Sequence, residues 1–326
     1  MPRKPIRVLL DANVWRHVAD RHAGPRLEQV SRKRDLQILV APSVVYEALR
    51  TRDARLREVL TRLMTMPAWV TLMPEAYEES EEFLSEVRRI RPEWLCVNPN
   101  LRKRRMNYVD WVRGPHSFWA RIRRDPAQVA RHVGALEHDT IDRVRSQARD
   151  RRRAALEAKW SFDSIKLAAV VGQLQGPRDG WNGDNVAPWR IDALEWASRS
   201  FLHPPYSDWI DGIVDLSQVV GGPSWVRFWL YDVEDRNMPL WWIRCACWIL
   251  QALRKVTNGT PCDEQLATYA FSCDVFLTCD RAFAEILERC SVDAPRSIGH
   301  VRLLPQLGDP GTTLIATLDA LRGRHV

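Results

Sequence analysis

The sequence predicts an α/β fold with a parallel β-sheet, and two observations support this prediction. Near both ends of the chain, short apolar segments alternate with segments whose apolar residues recur at helical spacing. The short apolar runs indicate buried strands, because helices cover both faces of a parallel sheet. The alternation itself is typical of strands that are joined through helices and pair in one parallel sheet.

The amino-terminal part combines three predicted strands with three predicted helices. The first strand ends at the carboxylate of Asp11. The helix after the second strand starts near Pro42 or Ser43, since both residue types favour the beginning of a helix. The strands are predicted at residues 6–10, 36–41 and 69–73. The helices are predicted at residues 43–49, 53–66 and about 74–90.

The α/β pattern returns in the carboxyl-terminal part after a long interruption. Asp263 opens a predicted helix, and the next strand ends in Thr278-Cys279-Asp280. The strands are predicted at residues 274–280 and 300–304. The helices are predicted at residues 263–270, 281–289 and 311–322. From about residue 91 to 254 the sequence predicts helices and loops without strands, so we place domain boundaries at 1–90, 91–254 and 255–326.

Composition excludes several classes of protein. The chain has 326 residues, of which 45% are hydrophobic and 27% charged, which is the balance of a folded globular protein. No apolar run is long enough for a membrane span, and strand-like residues begin too early to leave room for a signal peptide. Seven cysteines without a Cys-x-x-Cys pair favour a reducing compartment and speak against a zinc site. We therefore expect a cytoplasmic protein without a membrane partner.

Four acidic residues fall at or near the carboxyl ends of the predicted strands. In an open parallel sheet, ligands bind at this edge. Carboxylates that converge there repel one another unless a cation lies between them, and oxygen ligands of this kind select Mg²⁺ or Mn²⁺. Such ions activate water for phosphodiester cleavage. Taken singly, each acid has a simpler interpretation as a turn, a helix cap or a solvated helix residue. The acids are Asp11, Glu47, Asp263 and Asp280.

The order and spacing of these acids resemble the PIN-domain nuclease family. The segment 8–14, with Asp11 and Asn13, resembles the opening strand and Asp-x-Asn motif of that family. The segment 42–47 resembles its second acidic motif, and the segment 276–283 resembles its fourth. The resemblance implies a three-layer α/β/α sandwich and a Mg²⁺- or Mn²⁺-dependent endoribonuclease. Here, however, 215 residues separate Glu47 from Asp263, so the helical region would be a large insertion.

The resemblance also assigns roles to individual residues. It makes Asp11, Glu47, Asp263 and Asp280 the catalytic, metal-binding acids. Asn13 would orient Asp11 or contact phosphate, and Thr278 would support the site by hydrogen bonding. Asp274 is a further supporting candidate, with a purely structural role at the start of a strand as the alternative.

The predicted insertion is rich in arginine and tryptophan. Residues 101–160 contain 16 Lys and Arg against 7 Asp and Glu, and aromatic residues are interleaved with them. This pattern suits single-stranded nucleic acid, although a solvated helix face explains it equally well. We interpret the tryptophans of residues 181–248 mainly as packing core. The candidate RNA-binding residues are Arg102, Lys103, Arg104, Arg105, Arg121, Arg123 and Arg124.

The sequence thus predicts a metal-dependent endoribonuclease that cleaves single-stranded or structured RNA. The resemblance places it among prokaryotic toxins or defence effectors, with RNA as partner and an inhibitor protein or homo-oligomerisation left open. One alternative is a structure-specific DNA nuclease, which usually carries more acids in its site. Another is a non-catalytic RNA-binding scaffold, although clustered acids would only cost such a protein stability.

Overall fold

A parallel sheet forms the centre of the structure, a computed structural model that describes residues 4–112, 114–132, 176–254, 260–305 and 310–321 and isolated residues between 146 and 174. The strands are β1 (Ile6–Leu10), β2 (Leu36–Val40), β3 (Val70–Thr71), β4 (Val275–Thr278) and β5 (His300–Leu303). They lie in the order β3-β2-β1-β4-β5, and every neighbouring pair is parallel. The predicted α/β class and parallel sheet are confirmed, with β3 shorter than predicted.

The central position of β1 brings distant parts of the chain together. β1 pairs on one side with β2 and on the other with β4, where Leu10 lies opposite Leu277. Val8, Leu9 and Leu10 are fully buried, as the continuous apolar run predicts. The carboxyl ends of β1 and β4 therefore meet at one edge of the sheet, although more than 250 residues separate them in sequence.

Helices surround this sheet and make up most of the remaining described residues. The helices of the amino-terminal half are α1 (Ala12–Asp20), α2 (Gly24–Arg34), α3 (Pro42–Leu49), α4 (Ala54–Met64), α5 (Glu75–Ile90), α6 (Leu101–Val112) and α7 (Phe118–Arg124). Those of the carboxyl-terminal half are α8 (Pro188–Ser200), α9 (Ser207–Ile210), α10 (Leu216–Val219), α11 (Pro223–Arg227), α12 (Pro239–Ala252), α13 (Thr260–Thr268), α14 (Arg281–Asp293) and α15 (Pro310–Ala320). Short 3₁₀ or π turns occur at Pro92–Trp94, Phe228–Asp232, Asp235–Asn237 and Tyr269–Ser272.

Local sequence signals explain most helix boundaries, and one prediction needs correction. The Asp53 carboxylate accepts hydrogen bonds from the backbone N–H groups of Arg55 and Leu56, which fixes the start of α4. The predicted helix at 263–270 begins earlier, at Thr260, so Asp263 lies in the first turn of α13 and does not open the helix. The predicted helix at 281–289 continues to Asp293.

The described part of residues 91–254 contains helices and isolated β-bridges but no strand, as predicted. Its tryptophans Trp225, Trp229, Trp241 and Trp242 are fully buried, which agrees with their interpretation as packing core. They belong to the same hydrophobic cluster as the sheet, and α12 packs against α13 and α14. The domain boundaries stay a prediction, and residues 255–259, next to the second boundary, lie outside the described residues.

A search of the described helices for membrane spans finds none with both the length and the apolarity to cross a bilayer.

Candidate active site

Asp11 follows β1 at the edge where the central strands end. Its backbone N–H donates to the carbonyl oxygen of Leu277 on β4, at 3.0 Å. The hydrogen bonds between β1 and β4 therefore continue as far as Asp11. Its side chain is only 5% exposed and makes no capping hydrogen bond to α1. The carboxylate instead accepts a hydrogen bond from Thr278 Oγ1 at 2.6 Å. Asp11 is therefore a buried carboxylate aimed along the sheet edge, which is not the geometry of a simple cap.

Thr278 links Asp11 to Asp280. Its fully buried hydroxyl donates to Asp11 Oδ2 and accepts from the backbone N–H of Asp280 at 2.9 Å. The carboxylate of Asp280 in turn accepts from the backbone N–H of Phe283 at 3.0 Å and caps α14. The hydroxyl fixes the position of both acidic residues. This is the supporting contact that the sequence predicts for Thr278.

Glu47 belongs to α3, the helix that follows β2. Burial raises the pKa of its carboxyl group to about 7, and the charges of Asp11 and Asp280 contribute to the rise. Arg50, the residue directly after α3, opposes this effect on the pKa. Its guanidinium Nη1 donates to Cys262 Sγ on α13 at 2.7 Å, which joins the two helices beside Glu47. Glu47 therefore lies within electrostatic range of the two strand-end acids.

Asp263 on α13 completes the set of four acids. Burial raises the pKa of its carboxyl group well above the ordinary value, and Asp11, Asp280 and Glu47 raise this pKa further. Gln251 on α12 contacts it, because the side-chain amide Nε2 lies 3.3 Å from Asp263 Oδ2. Each of the other three acids thus acts on Asp263. All four carboxyl groups therefore lie in one region of the structure, with the other three within electrostatic range of Asp263.

The residue types of this acid cluster (Asp11, Glu47, Asp263 and Asp280) fit a hard divalent cation. In the described residues, no group of three or more His, Cys, Asp or Glu side chains meets the geometry of a bound metal ion. The charges of neighbouring acids nevertheless raise the pKa of Glu47 and of Asp263, so the ionised forms of these two side chains are disfavoured. A divalent cation would remove this repulsion, and carboxylate oxygens are the ligands that Mg²⁺ prefers.

Asn13 is exposed on the first turn of α1, and its side chain hydrogen-bonds to the Asp11 carboxylate, which matches the orienting contact that the resemblance implies. The other predicted supporting residue, Asp274, lies away from the acids. Asp274 lies at the opposite end of β4 from Thr278, roughly 13 Å along the strand at ~3.3 Å per residue. There its carboxylate accepts from the backbone N–H of Arg7 at 2.7 Å. The structure does not bring Asp274 to the acid cluster, and its contact with Arg7 matches the structural alternative.

The predicted RNA-binding residues of α7 lie close to α3. The ring of Phe118, at the start of α7, lies 5.5 Å from the ring of Tyr46, the residue before Glu47. α7 is seven residues long, so its arginines lie within roughly 10 Å of that contact along the helix axis. Their side chains are exposed, and Arg121 and Arg124 contact the backbone carbonyls of His116 and Pro115. The arginines are Arg121, Arg123 and Arg124.

The predicted RNA-binding residues of α6 divide into two kinds. Arg104 pairs with Glu81 on α5, and its guanidinium lies 5.8 Å from the ring centre of Tyr77. Lys103 Nζ lies 3.2 Å from a carboxylate oxygen of Asp208. Arg102 and Arg105 are exposed and form no ion pair with any described residue. Half of the Arg102–Arg105 run therefore helps to attach α6 to its neighbours.

Two residues at the acid cluster were not predicted from the sequence: Arg50, whose charge acts on Glu47, and Gln251, which contacts Asp263. Arg50 lies three residues after Glu47, a spacing that places two helical residues on one face, so a signal existed. Gln251 has no such signal, because only the packing of α12 on α13 brings it to Asp263. Comparisons of this chain with protein-family models, with curated proteins and with solved structures find no match.

Proposed function

We propose that this protein is a Mg²⁺- or Mn²⁺-dependent endoribonuclease whose active site is the acid cluster. The observation that carries the proposal is the convergence of four carboxyl groups at the carboxyl edge of a parallel sheet. Asp263 is affected electrostatically by all three others, and Arg50 is the cation that opposes the charge of Glu47. A stable protein without a ligand gains nothing from such an arrangement, because repulsion and burial both disfavour the ionised acids.

Together, the four acids would bind the metal ion. When bound, a divalent cation lowers the pKa of a coordinated water and offsets charge on the phosphate. The chain itself contributes orientation. Thr278 fixes Asp11, the Phe283 N–H fixes Asp280, and Gln251 contacts Asp263. In the reaction the oxygen of water bonds to phosphorus, and the bond from phosphorus to the 3′ oxygen breaks.

The cations of α7 support RNA as the substrate. The side chains of Arg121, Arg123 and Arg124 are exposed, and the Phe118–Tyr46 contact places their helix next to the helix of Glu47. Arginine binds phosphate through several N–H donors, so an RNA backbone can run along α7 toward the acid cluster. A PIN-like fold, a helical insertion and a role as a toxin or defence effector under an inhibitor belong to the same proposal.

A cleavage assay with matched acid variants tests this function. Wild-type protein, Asp11→Asn and Asp274→Asn are incubated with labelled single-stranded RNA, tRNA and single-stranded DNA, with Mn²⁺ or Mg²⁺ or with EDTA. We expect metal-dependent RNA cleavage that Asp11→Asn lowers by at least ~10³-fold, or ~4 kcal/mol of barrier. Asp274→Asn alters a carboxylate at the opposite end of β4 and should keep the activity.

The other outcomes identify the alternatives. Cleavage of DNA alone would replace the proposal by the structure-specific DNA nuclease. RNA binding without cleavage, and without Mn²⁺ stabilisation that depends on Asp11, would replace it by the scaffold.

A further inference from the structure

Helix α6 lies at the surface of the fold along its whole length, and none of its twelve residues is buried. One side of the helix nevertheless contacts its neighbours. Arg104 pairs with Glu81 on α5, and the ring of Trp111 lies 4.0 Å from the ring of Phe118 on α7. Arg104 and Trp111 are seven residues apart, which places them on the same side of a helix. This side attaches α6 to the rest of the protein.

The opposite side of α6 presents cations and apolar side chains together. Its five residues recur at spacings of three and four, so they are neighbours on the helix surface. The three apolar side chains are between 40% and 60% exposed. The two arginine side chains are exposed and form no ion pair with any residue in the described ranges. We call this set the outer face of α6: Arg102, Arg105, Met106, Val109 and Val112.

The outer face of α6 is divided along the helix axis. The two arginines lie toward its beginning, and the apolar side chains lie in the two turns that follow. From residue 102 to residue 112 the face is roughly 15 Å long, at ~1.5 Å per residue. Adjacent exposed apolar side chains rimmed by charge are typical of a surface that binds another molecule. A matching ligand carries anionic groups toward one end and apolar groups toward the other.

RNA matches only the cationic half of this face. The aromatic residues of α6 turn away from it, since the ring of Tyr108 lies 5.7 Å from the ring of Tyr77 on α5. Trp111 likewise contacts Phe118. Unpaired bases stack on aromatic rings, and the outer face of α6 offers only aliphatic side chains beside its arginines.

A second copy of this chain matches the face poorly as well. It would bring the same two arginines and the same apolar side chains. The acid that α6 contributes is Asp110, four residues after Met106 and at the border of the outer face. A single carboxylate cannot balance both cations, so the charges favour a different, acidic partner.

We propose that the outer face of α6 docks an acidic amphipathic helix of a partner protein. The apolar stripe of that helix packs on Met106, Val109 and Val112, as an amphipathic helix packs on an apolar surface. Its Asp or Glu residues, clustered toward one end, pair with Arg102 and Arg105. The apolar contact contributes affinity, and the ion pairs fix the direction of the bound helix. The four acids of the acid cluster lie on other elements, so this docking goes beyond the proposed function and does not depend on it.

Selection from a phage-displayed library of helix-forming peptides tests the outer face of α6 on the full chain. We expect enriched peptides that combine an apolar stripe with Asp or Glu clustered at one end. Fluorescence anisotropy then measures the affinity of synthetic copies. Met106→Ser and Arg105→Glu should each weaken binding tenfold or more. The matched controls, Val292→Ser on α14 and Arg55→Glu on α4, alter an exposed valine and an exposed arginine and should not change it.

An exchange of charge separates direct contact from misfolding. The double variant Arg102→Glu, Arg105→Glu should lose the acidic peptides and bind versions in which Arg replaces Asp and Glu. Those versions should not bind the wild type. The absence of enriched peptides would overturn the proposal, and so would peptides without acidic residues or binding that neither Met106→Ser nor Arg105→Glu changes.

Three further assays examine the other occupants of the face. Wild type and Met106→Ser are compared for binding of single-stranded RNA in EDTA, for binding of phosphatidylglycerol vesicles and for self-association in analytical ultracentrifugation. We expect no difference between the two proteins in any of them. A tenfold loss in one of these assays would overturn the partner helix and assign the face to RNA, to a membrane surface or to a second copy. Asp11→Asn should bind the peptides like the wild type, so a failure of the nuclease proposal leaves this one intact.

Discussion

Two groups of buried carboxylates in this fold differ in how their charge is balanced. Glu79 on α5 is fully buried, and Arg244 donates to one of its oxygens at 2.5 Å. The Tyr206 hydroxyl donates to the other oxygen at 2.5 Å, and the Trp241 indole donates to the Glu79 backbone carbonyl at 3.1 Å. One carboxylate thus has one cation and a second donor of its own. We call Glu79, Arg244, Tyr206 and Trp241 the Glu79 network.

In the acid cluster, carboxyl groups outnumber the cations that balance their charge. Four carboxyl groups converge there, and Arg50, which also contacts Cys262, opposes the charge of Glu47. Burial costs both groups free energy, but in the Glu79 network the protein's own side chains offset that cost. The balance of charge, more than burial itself, thus distinguishes the carboxylate of the Glu79 network from the acids to which the proposed function assigns a metal ion.

The largest effect is expected from removing the cation of the Glu79 network. Arg244→Met leaves Glu79 buried without its guanidinium partner, so we expect the free energy of unfolding to fall by about 3–5 kcal/mol. Urea denaturation followed by circular dichroism measures this loss. Arg236→Met, on an exposed side chain paired with Glu234, is the matched control and should cost less than ~1 kcal/mol. Equal losses for the two variants would show that Arg244 stabilises the fold no more than an exposed cation does.

Removing a carboxyl group from the acid cluster should instead increase the stability of the protein. Burial and neighbouring acids raise the pKa of Glu47 to about 7. The stability that comes from its protonated form is complete below the unfolded pKa of 4.5 and is lost as the pH rises through about 7. Without metal, Glu47→Gln should therefore raise the free energy of unfolding at pH 7 by roughly 1–3 kcal/mol.

The same variant should also make the decline in stability between pH 4.5 and 7 less steep. Part of the decline should remain, because the pKa values of Asp11 and Asp263 are also raised. Thermal melts over this pH range measure both effects, and Mn²⁺ should stabilise the wild type more than the variant. A Glu47→Gln variant with lower stability and an unchanged Mn²⁺ response would show that the carboxylate stabilises the folded state and does not bind the metal.

A smaller effect is expected at Thr278. Thr278→Val keeps the volume but removes the hydroxyl that joins Asp11 to the Asp280 backbone, so about 1–3 kcal/mol of stability should be lost. Cleavage should fall about tenfold as Asp11 loses its fixed orientation. Thr61→Val is the control, because that buried hydroxyl donates only to backbone carbonyls within α4. Equal falls in activity for the two variants would refute a positioning role for Thr278.

The sheet could be predicted from the sequence because its signals are local. The apolar run at residues 6–10 and the strand that ends in Thr278 need no knowledge of the rest of the chain. The convergence of Asp11 and Asp280 follows from the pairing of parallel strands at one edge. Asp274 was the exception, since it precedes its strand and therefore lies at the other edge.

Contacts that depend on helix packing could not be predicted. Gln251 reaches Asp263 only because α12 packs on α13, and Arg244 meets Glu79 across 165 residues of sequence. The run Arg102–Arg105 looks uniform in sequence, yet its members differ because α6 packs on α5 through Arg104 and leaves other cations exposed. Charge in a sequence identifies cations but not the carboxylates that neutralise them.

The smallest effect is expected from replacing an exposed cation, in contrast to one that is paired with a carboxylate. Arg123 on α7 is exposed, whereas Arg104 is paired with Glu81. Arg123→Gln should weaken RNA binding about two- to fivefold and reduce the slope of log affinity against log salt by ~0.7, the value for one phosphate contact on a single strand. Arg104→Gln should instead lower stability and leave that slope unchanged. Fluorescence anisotropy at several salt concentrations, measured in EDTA, separates the two variants. A reduced slope for Arg104→Gln alone would mean that the RNA follows α6 in place of α7.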